Sequence, residues 1–312
     1  MTATARRHYP AHRSPVLRRP GVVALSLDRK RRDRLTGMAD EWTAPLTVEQ
    51  MYGYWDVEWD EAMALTDRSL GPRPSTSIYD TLSTFGVSDG DVVLDIGGRD
   101  AGRGLVIAER FGCRVIVVDP VQANLDEGLR AVAGHDHGDL VEIHQGTINQ
   151  IPVGDNIVDV VFSIDMLTHV EDLDGALIEC RRVLTPSGSV LIYQVFETPL
   201  LEPAEKARIC ADLATVPDRL SVDGFEDSVH RAGFTIQAID RIGPEFLESL
   251  LEREDGEKRL LRAARMQRAN DDIVAKVGVA PFRVMRANNL WTIYRMIGKL
   301  EERVYSLTLE GT

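Results

Sequence analysis

The sequence has little cysteine: Cys113, Cys180 and Cys210 are all there is, and no two of them stand in a C-x-x-C. That spacing offers neither a disulfide framework nor a zinc site, and it points to a reducing compartment such as the cytoplasm. Long apolar runs are missing too, for none approaches the roughly 18 residues that span a bilayer. A basic excess is lacking as well. The 36 Lys+Arg against 49 Asp+Glu leave a net charge of −13, which argues against a general nucleic-acid binder, since phosphate backbones need a basic footprint. What basic charge there is gathers in residues 1–37, where ten Arg/Lys and two Asp give +8, so the remainder carries −21. Within that stretch "GVVALSL" follows an arginine-rich start, but it is short and meets "DRKRR" where a signal peptide would have small residues. Residues 1–40 are expected to be a basic, disordered tail, and Met38, opening "MADEW", is a candidate true start.

The rest reads as folded. Residues 41–85 form an N-terminal helical segment: "LTVEQMYGYWDVEWDEAMALT" is rich in aromatics and acids, "GPRPSTS" breaks it, and "IYDTLSTFGV" resumes as helix. Over residues 86–243 short β-branched runs alternate with helical stretches. The strands are "VVLDI", "RVIVVD", "VEIHQG", "VDVVFSI", "SVLIYQVF" and "FTIQAIDRIG". Such alternation predicts an open, doubly wound parallel sheet, Rossmann-like in class, with both faces covered by helices. Residues 244–303 then read as helix after helix, and "VYSLTLE" within 304–312 returns as a final strand. A late strand after so long a helical stretch implies a helical cap inserted above the sheet.

Between the first strand and its helix stands the glycine-rich turn "GGRDAGRG". A P-loop would need Lys at Arg103 and Ser or Thr at Gly104, so a nucleoside triphosphate does not fit. No glycines have the G-x-G-x-x-G spacing of a dinucleotide site, and Asp100 in the turn would repel a pyrophosphate. S-adenosylmethionine reverses that electrostatic argument, because its sulfonium and amino groups are cationic. Asp95 ends the first strand and can approach the methionine part, while Asp119 ends the second and can accept both ribose hydroxyls.

Here the chain resembles a known family. "VVLDIGGRDAG", "VIVVDP" and "IHQGTINQIPVGDNIVDVVFSIDMLTHVEDLDGALIECRRVLTPSGSVLIY" are similar to the successive motifs of class I S-adenosylmethionine-dependent methyltransferases, over about residues 86–242. The resemblance implies a seven-stranded sheet, S-adenosylmethionine as cofactor, and methyl transfer to carbon, nitrogen or oxygen of a small-molecule acceptor, of the kind found in specialised metabolism. It also implies that Asp95, Gly97, Gly98 and the Arg99–Asp100 backbone hold the methionine end and Asp119 the ribose. Thr147 and Ile148 would flank the adenine, with Ser163 and Met166 at the next strand end. The chain departs from the family at Arg99 and Ala101, where loop glycines are usual, and at Thr147, where an Asp commonly meets the adenine amino group.

Each candidate also has a plainer reading. Asp95 and Asp119 can cap the helices that follow them. His169 and Glu171, past the fourth strand, are the candidate general bases; alternatively His169 packs structurally and Glu171 serves the next helix start. Tyr52, Tyr54, Trp55 and Trp59 can line a cationic site or pack a helix. Arg259, Arg262 and Arg265, with Arg283 and Arg286, can receive an anionic acceptor or form a solvated face. No metal-ligand cluster is visible, and association of like chains is left open. Two other functions stay open: a macromolecule-directed methyltransferase that uses the basic tail, and a catalytically inactive binding protein of the same fold, suggested by Arg99 and Thr147.

Overall fold

The computed structural model describes residues 45–53, 64, 72–242, 248 and 257–311, so the basic tail and the positions Tyr54, Trp55 and Trp59 lie outside the described residues. The chain divides into two units, residues 1–67 and 68–312. In the first, α1 (Val48–Gly53) starts with a reciprocal cap: the Gln50 amide donates to Thr47 Oγ1 at 3.1 Å and the Thr47 amide to Gln50 Oε1 at 2.9 Å. Tyr52 on this helix is exposed.

The second unit is built on one seven-stranded sheet. In chain order it holds α2 (Ser77–Ser83), β1 (Val92–Ile96), α3 (Gly102–Phe111), β2 (Arg114–Asp119), α4 (Gln122–Ala133), β3 (Val141–Gln145), β4 (Val158–Ile164), α5 (Leu173–Val183) and β5 (Leu184–Glu197). It continues with α6 (Pro203–Leu213), α7 (Val222–Arg231), β6 (Phe234–Arg241), α8 (Glu257–Arg268), α9 (Asn270–Val277), α10 (Val279–Met296) and β7 (Leu300–Leu309). The strand order is β3-β2-β1-β4-β5-β7-β6. Successive strand residues alternate between two cores, as the period of two requires. Leu94, Ile96, Ile116 and Val118 pack beneath α5 and α7 with Leu177, Phe225 and Val229. Val93, Val115 and Val117 pack on the other face with Leu82 of α2 and Leu105 and Ile107 of α3.

Two features differ from the sequence reading. The sheet is not wholly parallel, because β7 inserts between β5 and β6 and runs antiparallel to both. That strand also begins at Leu300, not 304. Glu301, Glu302 and Arg303 look like helix-end charges in sequence, yet the fold neutralises them in strand: Arg295 binds the buried Glu302, and Arg303 binds Glu301 and Glu226.

The helical stretch 257–296 is tied to the core rather than standing apart from it. Trp291 and Tyr294 of α10 pack with Ile209 and Cys210 of α6 and with Val195 and Leu300 of the sheet. Beside this contact the nearly buried Asp212 of α6 accepts from Arg283 Nε at 2.7 Å and from Arg286 at 3.1 Å. Removing the shared carboxylate leaves two guanidinium groups without it. Asp212→Ala should therefore lower the unfolding free energy by about 1–3 kcal/mol in urea denaturation. A change below about 0.5 kcal/mol would show that the apolar contact alone holds α10 down.

Candidate active site

The turn after β1 is bent back on to the end of β2. The amides of Gly97 and Gly98 donate to the Val118 carbonyl at 2.8 and 3.4 Å, and that of Ala101 to the Gly98 carbonyl at 3.0 Å. Gly97, Arg99 and Ala101 have φ of 73°, 51° and 59°. Arg99 and Ala101 thus keep the left-handed backbone of the glycines they replace, and Arg99 projects to the surface instead of closing the turn. Gly98 is needed for another reason. A Cβ there would lie 2.7 Å from both Asp95 Oδ2 and Val117 Cγ1. Asp95 sits sealed below the turn, and its Oδ2 has no partner. Burial pushes its carboxyl up to about 7, with the Arg103 guanidinium pulling the other way.

Asp119 ends β2 facing the turn. Its Oδ2 accepts from the Arg99 amide at 3.1 Å, and its Oδ1 from the Val121 amide at 2.9 Å and Asn124 Nδ2 at 3.0 Å. It thus ties the start of α4 to the end of β2 and to the glycine turn.

The end of β4 is irregular. Asp165 has φ of 50°, a short 3-10 turn covers Leu167–His169, and Val170 is extended. This break lets both His169 and Glu171 reach the same cavity, which a regular helix would forbid. His169 Nδ1 lies 3.0 Å from the Ala214 carbonyl. An oxygen acceptor there requires the proton on Nδ1, which leaves Nε2 free to accept. Glu171 is anchored through its backbone, its carbonyl and that of Val170 accepting from Arg219 at 2.9 Å each. Asp172 beside it caps α5 through the Gly175 amide.

These elements enclose a cavity of about 740 Å³. Of the residues singled out from sequence, Gly97, Arg99, Asp119, Thr147, Ile148, Met166, His169 and Glu171 border it. Asp95, Gly98, Asp100 and Ser163 do not. Asp95 and Ser163 are buried below, and the exposed Asp100 accepts from the Gly102 amide in the turn. Asn288 and Trp291 of α10 border the same cavity, so the inserted helices wall it directly. The arginine series does not assemble into an anion site. Arg283 and Arg286 are bound to Asp212, and Arg259 reaches Thr292.

A second cavity of about 390 Å³ adjoins the first, sharing Arg103, Ile164 and Asp165 with it. Its other walls include Ile78, Tyr79, Tyr193, Ile242 and the Arg73–Asp240 ion pair at 2.8 Å. Arg295 closes the floor, donating to Tyr193 Oη at 2.6 Å and binding Glu302. Sequence reasoning missed Asp165. It stands between Ser163 and Met166, at a strand end like Asp95 and Asp119, and the same signal marks it. Its Oδ1 is buried without a partner. Burial pushes the carboxyl up to about 7, opposed first by Arg295.

Residues 94–192 match the family model described as a methyltransferase domain. This stretch resembles a methyltransferase domain. It contains the glycine turn, Asp119 and the irregular end of β4, so the family match and the cavity coincide. The chain is 30% identical over 158 residues to glycine/sarcosine/dimethylglycine N-methyltransferase of Actinopolyspora halophila, covering 50% of this chain and 26% of that one. It is 28% identical over 195 residues to sterol 24-C-methyltransferase of Eremothecium gossypii, covering 61% and 52%. The chain thus spans from a quarter to about half of the length of these relatives. Among solved structures, geranyl diphosphate C-methyltransferase from Streptomyces coelicolor A3(2) is 17% identical with a TM-score of 0.58, covering 75% of this chain and 79% of that one. That likeness establishes the α/β Rossmann-like fold.

The buried Asp165 has a pH signature. Between its unfolded pKa near 3.8 and about 7 the folded state keeps a proton that the unfolded chain has released. Its contribution to stability is therefore lost as pH rises through that window. Asp165→Asn removes the titration, so its stability relative to the parent should improve by about 2–4 kcal/mol from pH 4 to pH 7 and then level off. Urea melts at fixed pH measure this. A difference that stays constant with pH would mean that the carboxylate ionises freely in the fold.

Proposed function

We propose that the protein is an S-adenosylmethionine-dependent methyltransferase acting on a small molecule. The observation that carries this reading is the pair of adjoining cavities meeting at a wall of Arg103, Ile164 and Asp165, the larger bordered by the methyltransferase-domain turn and Asp119. Their volumes suit a cofactor and a modest acceptor side by side. The residues present fit the cofactor: Gly97 brings bare backbone to the wall of the larger cavity, and Asp119 borders it with an acceptor oxygen for a ribose hydroxyl. When bound, S-adenosylmethionine supplies an electrophilic methyl on a cationic sulfur. The chain's own part is to align the acceptor and keep water out, which Trp291 and Ile164 do by walling the cleft.

An acceptor that must lose a proton needs a base. His169 offers a free Nε2 on the larger cavity, and Asp165 offers an unpartnered oxygen on the shared wall. Glu171, like His169, borders the larger cavity. The anionic acceptor suggested by the arginine series loses its support, because Arg283 and Arg286 are bound to Asp212 and the arginines Arg73 and Arg295 of the second cavity face Asp240 and Glu302. A small acceptor with a hydroxyl or amine suits a second cavity lined by Ser75, Thr76, Ser77 and Tyr193 as well as Ile78 and Ile242. The buried free thiols of Cys113, Cys180 and Cys210 suit a reducing compartment, and the proposed location is the cytoplasm.

Calorimetric titration with S-adenosylmethionine, followed by a screen of small molecules with the methyl group labelled, tests the reading. Asp119→Ala should weaken cofactor binding by about 1.5–3 kcal/mol, the scale of hydrogen bonds to a charged group. Affinity within twofold of the parent would mean that the ribose is held elsewhere. With an acceptor in hand, His169→Ala or Asp165→Asn should lower kcat by about 10²-fold or more at nearly unchanged cofactor affinity. Near-parental turnover in both variants would leave alignment alone as the catalytic device.

A further inference from the structure

Arg99, Arg208, Arg241, Arg262, Arg265 and Arg268 show no partner among the described residues and are exposed, whereas the arginines drawn into the fold are mostly paired. Arg182 binds Glu179 and Asp155, Arg231 binds Asp174, Arg283 and Arg286 bind Asp212, and Arg295 binds Glu302 and Tyr193. Arg103 is different. It is half-buried at the second position of α3 and borders both cavities, and among the described residues it makes no hydrogen bond or ion pair. A guanidinium has five donors in a planar fork, and withdrawing it from water without partners is unfavourable. Asp95 and Asp165 both feel its charge, yet neither lies within ion-pair distance, Asp95 being sealed under the turn and Asp165 facing the shared wall.

The larger cavity carries charge of both signs on its walls, with the exposed Arg99 next to Asp119. Asp119 presents a carboxylate, and it borders this cavity alone. Where the second cavity opens, Arg103 presents an uncommitted cation. S-adenosylmethionine has the complementary groups, with a ribose diol as donor and an amino-acid carboxylate. We propose that Arg103 receives the carboxylate of the cofactor's amino-acid end. The inference rests on the cofactor reading above. It fixes the direction in which the cofactor lies, with the sulfonium between the two anchors and near the shared wall with Asp165. The bidentate match of guanidinium and carboxylate suits one Arg here better than a Lys.

The test uses the full chain and two ligands that share nucleoside and sulfur: S-adenosylhomocysteine, which has the amino-acid end, and 5′-methylthioadenosine, which lacks it. Arg103→Met should raise the calorimetric Kd for S-adenosylhomocysteine about 10- to 100-fold and leave that for 5′-methylthioadenosine within twofold, which also shows that the cleft is intact. Arg103→Lys should recover only part of the loss. The inference is overturned if Arg103→Met binds S-adenosylhomocysteine within twofold of the parent, or if both ligands weaken equally. Unchanged cofactor affinity with a raised acceptor KM would assign the guanidinium to an anionic acceptor instead. A parent protein that binds neither ligand would sink the cofactor reading itself, a result distinct from an arginine that makes no difference.

Discussion

The cleft depends on one contact, the approach of the Gly97–Gly98 backbone to the Val118 carbonyl at the end of β2. Because it is backbone against backbone, it holds the turn without relying on any side-chain rotamer. From it follow the burial of Asp95 beneath, the position of the Arg99 amide against Asp119, and the direction in which α3 leaves the sheet. A side chain at Gly98 would meet Asp95 and Val117 before anything else moved. The loss of two glycines nearby is tolerated because Arg99 and Ala101 need only an uncommon φ, which non-glycine residues adopt at about 1–2 kcal/mol each.

Around this turn the strand ends carry more polar atoms than the fold satisfies. Oxygens of Asp95, Ser163, Asp165 and Glu302 are buried without partners, whereas the sheet interior a few residues away is uniformly apolar. Such concentrations of unmet hydrogen-bonding capacity are unfavourable for folding and gather where a ligand or a reacting group is to be met. Asp165 stands on the wall shared by the two cavities, and Asp95 and Ser163 are buried beneath. The arrangement is prepared before any ligand arrives, which is the condition for electrostatic help without reorganisation.

The strands of the core and their helices were legible because β-branched runs and capped helices agree locally with the fold, as "RVIVVD" and "LDGALIECRRV" illustrate. The place of Asp119 on the cavity was legible for the same reason, because it stands at a strand end. What escaped notice depends on distant partners. The charged start of β7 reads as a helix tail until Arg295 is seen to neutralise Glu302. Asp165 gains its character from burial and from Arg295, some 130 residues away. The part of α10 in walling the cleft is likewise invisible in a helical pattern, since Trp291 is placed by its packing on α6. Arg99 and Arg103 look alike in sequence, and the fold distinguishes them: both border the larger cavity, but Arg99 is exposed while Arg103 is half-buried and reaches the second cavity too.

The central place of β7 has a bearing on how the molecule is made. Its nine paired positions along β5 run from Ser189↔Thr308 to Glu197↔Leu300, so every one joins residues more than a hundred apart. On a ribosome the half of the sheet from β1 to β4 can be complete while the edge of β5 is still waiting for a neighbour. Until the last strand emerges, that edge offers unpaired amides and carbonyls to any other chain nearby. The floor of the second cavity, made by Arg295 and Glu302, closes only with that final pairing. Pairings of such long sequence separation form slowly, and the acceptor side of the cleft is then the last part of the molecule to acquire its shape.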